Sequence, residues 1–228
     1  VSSANVACGG HAGDPETMFR TLSTAAEQGV VVGAHPGYAD REGFGRRVIR
    51  MGESEIGRMI AAQIGALQAV AALVPIEVRY VKLHGALANL AARDADVAAV
   101  TVDAVQRVSA ELAILAISGT EVERVARAAG VRVFSEVFAD RGYQPDGQLV
   151  PRAEPGAMIH DPREAADRLL GFLETGQMPV VGGEPIELAA DSICVHGDSV
   201  GAVAMARMIR DELVAAGMQP TGFVDIGS

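Results

Sequence analysis

The chain has 228 residues, 49% of them hydrophobic, and a formal net charge of −10, and this length predicts a single domain over residues 1–228 with a sizeable core. The negative charge and an aromatic content of 4% argue against nucleic-acid binding, which needs a basic surface and often aromatic stacking platforms. The longest apolar run, Val70 to Ile76, is far too short to span a membrane, so we expect a soluble, cytoplasmic protein.

The two cysteines and the first residue give further expectations. Cys8 and Cys194 could form one disulfide, but a reduced cytosolic pair is the favoured interpretation. The sequence begins at Val1, directly before a predicted strand, so we expect an N-terminal segment to precede it.

The first predicted unit is a strand over residues 3–8, a glycine-rich loop and a helix. Glycine lets the backbone of residues 9–13 approach a ligand closely. Asp14 and Pro15 are typical of a helix start, and the helix should run to about Gln28 and stop at Gly29. A strand over residues 30–34 leads to His35, and the long charged loop over residues 35–47 is interpreted as functional rather than as a solvated connection.

The middle of the chain alternates helices with short strands. An apolar stripe predicts a helix over residues 53–74, and the next strand, at 79–87, places Tyr80, Lys82 and His84 on one face with Val81 and Leu83 on the other. We therefore expect Lys82 and His84 to point into the middle of the protein. A short helix from Ala86, a helix to about residue 110, and a strand over residues 112–117 follow.

The last third continues the pattern. Thr120 is predicted to cap a helix that ends at Gly130, and a strand over residues 131–137 follows. After a charged loop and a turn at residues 146–147, Asp161 and Pro162 should start a helix that ends at Gly176. A small hairpin over residues 180–188, a strand over 192–195 and a helix over 199–216 complete a parallel α/β architecture.

Four of the five histidines follow predicted strands, each beside glycine: His11, His35, His84 and His196. In parallel α/β proteins the loops after the strands converge on one opening, so we expect at least two of these imidazoles to line a site. The fifth, His160, precedes a helix cap and is interpreted as structural. Lys82 has two possible roles: a structural ion pair with Glu136 or Asp140, or neutralisation of an anionic substrate. The same two roles, structural or substrate-binding, are possible for Arg141.

Several familiar sites are not indicated. Cys8 with His11, and Cys194 with His196, do not have the spacing of a closed zinc module. A catalytic metal on two histidines and a carboxylate is more plausible, with His11 and His35 as the candidate ligands. The sequence contains neither a phosphate-binding glycine loop of a known type nor a nucleophile elbow.

Five segments in order closely resemble the LamB/YcsF family of 5-oxoprolinase subunits: SANVACGGHAGD (3–14), GAHPGY (33–38), VKLHGAL (81–87), FADR (138–141) and ICVHGD (193–198). The resemblance implies a (β/α) barrel, TIM-like or irregular and seven-stranded, of the kind shared with glycoside hydrolases and polysaccharide deacetylases. It also implies ATP-dependent opening of 5-oxoproline to L-glutamate together with two partner subunits. The acidic Asn-x-Asp-x-Gly-Glu-like motif that usually opens the family has no match here.

This chemistry assigns hypothetical roles to the candidate residues. His84 and His35 are the expected acid and base, and Lys82 and Arg141 would bind anionic groups of substrate or phosphate. The remaining groups would orient water, act as a base, hold Lys82 or line the phosphate site: His11, His196, Asp198, Glu136, Asp140, Gly10, Gly37, Tyr38 and Gly85. ATP, with Mg²⁺, could bind here or in a partner subunit.

Two other interpretations stay open on the sequence alone. One is a metal-dependent amide or carbohydrate deacetylase on the same barrel. The other is a non-catalytic subunit that binds a small anion. Association with further copies of the chain is also left open.

Overall fold

The structure is a computed structural model that describes residues 1–197 and 201–225. Their contacts divide the chain into two compact units, one formed by residues 1–134 with 222–225 and the other by the described residues of 135–221. Within the described residues, no helix is long and apolar enough to cross a membrane. The single-domain organisation stays a prediction.

The first unit alternates strands and helices, as the sequence pattern predicts. Strands β1 to β4 are neighbours in chain order, and each adjacent pair is parallel. The elements are β1 (Ser3–Ala7), α1 (Pro15–Gln28), β2 (Val31–His35), α2 (Glu53–Ala71), β3 (Val78–Val81), α3 (Gly85–Ala91), α4 (Ala95–Val108), β4 (Ala113–Ile117), α5 (Glu121–Ala128) and a 3₁₀ turn (Phe223–Asp225).

Strand β5 (Val133–Phe138) begins in the first unit and continues into the second, where it pairs in parallel with β8 (Ser192–Cys194). Helices α6 (Pro162–Thr175) and α7 (Ala202–Ala215) belong to the second unit. The predicted hairpin exists, but its antiparallel strands are β6 (Gln177–Met178), which lies before the predicted segment, and β7 (Ile186–Glu187), which lies near its end. The predicted start of the last helix at residue 199 lies outside the described residues.

Local signals explain where the helices begin and end. The carboxylate of Asp14 accepts hydrogen bonds from the backbone N–H and the hydroxyl of Thr17, both at 2.9 Å, which satisfies a donor that α1 would otherwise leave unpaired. Gly29, at φ 62°, ends the helix in the left-handed conformation that glycine adopts without strain. Thr120 is the N-cap residue of α5, as predicted, but its hydroxyl donates to the carbonyl of Ile117 at 2.6 Å and makes no capping hydrogen bond.

The two faces of β3 pack into different clusters, in agreement with the predicted alternation. Val81 joins the large core that contains the buried stripe of α2, whereas Tyr80 packs with Phe223 in a second cluster. The Tyr80 ring fills the space beside Gly33, where an added Cβ would lie 2.2 Å from the ring, and its hydroxyl donates to Asn5 Oδ1 at 2.8 Å. The strand itself stops at Val81, so Lys82 and His84 lie just beyond it.

Candidate active site

Three neighbouring strands of the first unit carry histidines at or just after their carboxyl ends. His35 is the last residue of β2, whereas His11 and His84 follow β1 and β3. The parallel pairing continues past β3, because the N–H of Lys82 donates to Ala34 O at 2.9 Å and that of His84 donates to Pro36 O at 2.8 Å. The three imidazoles therefore meet at one edge of the sheet.

Hydrogen bonds to two backbone carbonyls fix the orientation of His35 and His84. Nδ1 of His35 lies 2.7 Å from Lys82 O, and Nε2 of His84 lies 2.8 Å from Phe44 O. A carbonyl oxygen can only accept, so each of these nitrogens carries a proton and donates it. The other nitrogens, His35 Nε2 and His84 Nδ1, face each other at 3.1 Å.

His11 completes the cluster. Its ring stacks on that of His84 with centroids 3.6 Å apart and planes 10° apart, and it meets His35 edge-on at 5.5 Å. The side chain is 3% exposed, and its buried Nδ1 has no hydrogen-bond partner among the described residues. One nitrogen of each ring lies within 4.8 Å of the others, so the three histidines could hold a metal ion.

The surroundings keep two of these imidazoles neutral. Burial, together with repulsion from His84 when that ring is protonated and from Arg46, lowers the pKa of His11 to about 3. Burial and the charge of Lys82 lower the pKa of His35 well below its ordinary range. Both rings are therefore neutral near pH 7 and offer lone pairs, so the ordinary imidazole pKa on which the predicted acid–base roles rest does not apply to them.

The loop after β2 returns over the cluster. The ring of Phe44 lies edge-on to His11 and His84, with centroids 5.3 and 5.2 Å away. Phe44 has a φ of 52° and is the one non-glycine residue with positive φ in the described part of the chain, a conformation that costs energy and often marks functional loops. An ion pair between Asp40 and Arg47 closes the loop, and Asp40 also accepts the N–H of Gly43 at 3.0 Å.

Gln63 on helix α2 holds the exit of β2 and was missed by the sequence analysis. Its side-chain oxygen accepts the N–H of Gly37 at 3.1 Å, and its amide nitrogen donates to Gly37 O at 2.7 Å. A Cβ on Gly37 would lie 3.0 Å from His11 Nδ1, so this clamp fixes backbone that touches the cluster. A polar residue on the otherwise apolar buried stripe of α2 is the signal that could have revealed it.

The residues predicted to line a phosphate site are closely packed. Gly37 already donates its N–H to Gln63, and a Cβ on Gly10 would lie 2.5 Å from Gln63 Oε1. A Cβ on Gly85 would lie 2.5 Å from Gly45 O. Tyr38 is fully buried, and its hydroxyl has no hydrogen-bond partner among the described residues. Glycine at positions 10, 37 and 85 lets neighbouring segments pack closely around the histidines.

Lys82 and Cys8 lie beside the cluster. Lys82 is 6% exposed, and its backbone carbonyl accepts a hydrogen bond from His35 Nδ1. Pairing of Lys82 with Glu136 or Asp140 stays a prediction. Burial raises the pKa of Cys8 to about 12, so this residue is a neutral thiol near pH 7 and not a thiolate ligand. Neither Cys8 nor Cys194 forms a disulfide, as the sequence analysis favours.

The second unit contains a separate histidine–carboxylate pair. Nδ1 of His196 lies 2.9 Å from both carboxylate oxygens of the buried Asp140, and the His196 N–H donates to the same carboxylate at 3.3 Å. Burial acts to raise the pKa of Asp140, but the hydrogen bonds and charge of His196 outweigh it, so the pKa lies below its ordinary value. Glu136 is buried in the same unit, at 2% exposure.

Arg141 holds the loop that follows β5. Its Nε donates to Ala157 O at 3.0 Å, and one terminal nitrogen donates to Val150 O at 2.6 Å. The guanidinium thus joins two backbone segments, which supports a structural role for Arg141 over binding of a substrate anion. Asp198, another predicted site residue, lies outside the described residues.

Comparisons with known proteins agree with the motifs. The model of the LamB/YcsF family matches residues 1–226. The 5-oxoprolinase A subunit of Azorhizobium caulinodans is 47% identical over 218 residues, which are 96% of this chain and 86% of the relative, and that of Gluconobacter oxydans is 48% identical with the same coverage.

The structure of a lactam utilization protein from Thermus thermophilus superposes with a TM-score of 0.90 at 39% identity, covering 97% of this chain and 89% of that one. With the parallel strand–helix alternation, this match confirms the predicted (β/α)-barrel fold class.

Proposed function

The chain belongs to the LamB/YcsF family, and on this premise we propose that it is a subunit of an ATP-dependent 5-oxoprolinase, which opens the lactam of 5-oxoproline to L-glutamate. The names of the relatives, which are A subunits of 5-oxoprolinase, support this reaction. The observation that carries the proposal is the cluster of His11, His35 and His84 at the strand exits. The complex, with two further subunits, would work in the cytoplasm.

The proposed reaction needs ATP because a five-membered lactam is an unstrained amide that water attacks slowly. The amide oxygen would attack the γ-phosphorus, and ADP would leave. Water then adds to the activated carbon, and the ring nitrogen leaves with a proton to give an acyl phosphate. A second water releases phosphate and L-glutamate, so one lactam, one ATP and two waters are consumed. ATP, with Mg²⁺, would be held in the assembled complex.

The histidine cluster provides the groups that this sequence of steps requires. A neutral imidazole can accept the proton of the attacking water, and a neighbouring ring can return a proton to the leaving nitrogen. His35 Nε2 and His84 Nδ1 are the two nitrogens that the carbonyl hydrogen bonds leave for proton transfer. The buried Lys82 next to them would neutralise an anionic group of the substrate or of the acyl phosphate.

The second unit has positioning contacts of its own. The Asp140–His196 pair orients an imidazole, as carboxylates do beside catalytic histidines. Arg141 would keep the following loop in place through its two carbonyl contacts.

Glutamate formation tests the proposal. The full-length chain is combined with its two candidate partner subunits, 5-oxoproline and ATP with Mg²⁺, and L-glutamate is measured by chromatography. We expect glutamate and ADP in equal amounts, and neither product when ATP or this chain is omitted. A well-folded complex that makes no glutamate, or makes it at the same rate without this chain, would refute the proposal.

A further inference from the structure

The contact between His35 and His84 brings together two ring nitrogens that need a proton or a metal ion between them. Both rings donate a proton to a backbone carbonyl, at 2.7 Å for His35 and 2.8 Å for His84. When both rings are neutral, His35 Nε2 and His84 Nδ1 each present a lone pair, 3.1 Å apart. Two acceptors at this distance repel each other unless a cation lies between them.

A metal ion fits this spacing. Zinc and similar ions bind imidazole nitrogen at about 2.0–2.1 Å. Two such bonds to nitrogens 3.1 Å apart meet at roughly 95–100°, which is close to the angles of tetrahedral and octahedral coordination. Histidines that bind metals in proteins usually donate their second ring N–H to a carbonyl or carboxylate, which fixes the orientation of the ring. His35 and His84 both make such a hydrogen bond to a backbone carbonyl.

His11 supplies an independent observation. It is 3% exposed, its Nδ1 has no hydrogen-bond partner among the described residues, and one of its nitrogens lies within 4.8 Å of nitrogens of the other two rings. A buried polar nitrogen without a partner costs free energy, and a bound ion would remove that cost.

We infer that His11, His35 and His84 form a binding site for a divalent transition metal ion of the zinc class, with His35 and His84 as the primary ligands. Three imidazoles without a carboxylate favour such ions over Mg²⁺, which prefers oxygen ligands. Imidazole ligands bring no negative charge, and the nearby groups Lys82 and Arg46 are positive. The remaining coordination position therefore suits an anion, such as a carboxylate or phosphate, or a water.

Cobalt binding tests the inference without any enzymatic assay. The full-length protein is treated with a chelator, dialysed and titrated with Co²⁺, whose visible absorption reports nitrogen coordination, and bound Co²⁺ is then displaced with Zn²⁺. We expect one equivalent of Co²⁺, displacement by Zn²⁺ and no displacement by Mg²⁺. Inorganic phosphate should tighten the binding of Co²⁺.

Three variants locate the ion. His35→Ala and His84→Ala should weaken Co²⁺ binding by at least about 100-fold, whereas His160→Ala, which removes an exposed imidazole elsewhere, should leave it within twofold. Circular dichroism shows whether each variant is folded. His35→Gln serves if His35→Ala does not fold, because its amide can still donate to the Lys82 carbonyl.

Two results would overturn the site: no Co²⁺ binding by the wild-type protein at millimolar concentration, or equal binding by folded His35 and His84 variants. The first would assign the cation between the two rings to a shared proton. An ion on His35 Nε2 and His84 Nδ1 would take the two lone pairs that otherwise accept the proton of the attacking water, and a water bound to the ion would be the nucleophile instead. The metal site does not rest on the 5-oxoprolinase reaction, so a complex that binds Co²⁺ as described but makes no glutamate would refute only the proposed function.

Discussion

Substituting Gly45 tests whether the loop after β2 is packed directly on the histidine cluster. Gly45 has a φ of 64°, and a Cβ there would lie 2.7 Å from the Cβ of His11 and 2.9 Å from Cδ2 of His84. Gly45→Ala therefore carries two costs. The left-handed backbone costs about 1–2 kcal/mol for a residue with a Cβ, and the crowding of two ring-bearing side chains adds about 1–3 kcal/mol.

Gly182→Ala is the matched control. Gly182 has a φ of 74°, but nothing lies within 4 Å of its added Cβ, so this variant carries the backbone cost alone. The difference between the two variants should be about 1–3 kcal/mol in the free energy of unfolding from urea titration, or roughly 2–12 °C in Tm. Gly45→Ala should also lower the rate of glutamate formation by about 10- to 100-fold through misplaced imidazoles. Equal losses of stability and unchanged activity in both variants would refute the packing argument.

Gln63→Leu removes both hydrogen bonds to Gly37 and should lower the free energy of unfolding by about 2–5 kcal/mol. The control Gln68→Leu, on the same helix, should lower it by less than about 1 kcal/mol. Similar urea midpoints for both variants would contradict this prediction. The lowered pKa of Asp140 gives stability that is complete above the ordinary aspartate value of about 3.9 and is lost as the pH falls through the folded pKa. The fall in Tm below pH about 4 should therefore be smaller in Asp140→Asn than in the wild-type protein, and parallel Tm curves would count against it. Burial raises the pKa of Cys8 to about 12, so its thiol should resist iodoacetamide at pH 8 in the folded protein and react after unfolding in urea. Rapid modification of the folded chain would contradict this, because it would show that the thiol is accessible.

Elements with strong local signals were predictable from the sequence. Helix α1 has an aspartate and a proline at its start and a glycine at its end, and the structure gives Pro15–Gln28, as expected. Helix α6 has the same signals and runs Pro162–Thr175. Where the signal was weaker, boundaries moved. Helix α2 ends at Ala71, before the predicted residue 74, because the next residues close with the tighter i→i+3 hydrogen bonds, from Leu73 to Val70 O and from Val74 to Ala71 O.

The interior of the candidate site was less predictable, because it depends on contacts between distant segments. Glycine beside histidine at a strand end indicates where imidazoles can meet, and His11, His35 and His84 do meet. The tautomers of His35 and His84 follow from the carbonyls of Lys82 and Phe44, and no periodicity predicts the path of the Phe44 loop. A charged side chain such as that of Arg141 is also compatible with two roles on the sequence alone, and only its partners distinguish them.

The central claim is that the three-histidine cluster carries out the chemistry of lactam opening. The most direct measurement is kcat/KM for glutamate formation from 5-oxoproline and ATP, with the full-length chain assembled with its two partner subunits as wild type, His84→Ala or His160→Ala. Loss of a general acid or base predicts a fall of about 10²- to 10⁴-fold for His84→Ala, with His160→Ala within twofold of wild type. A folded His84→Ala complex that turns over at the wild-type rate would contradict the account.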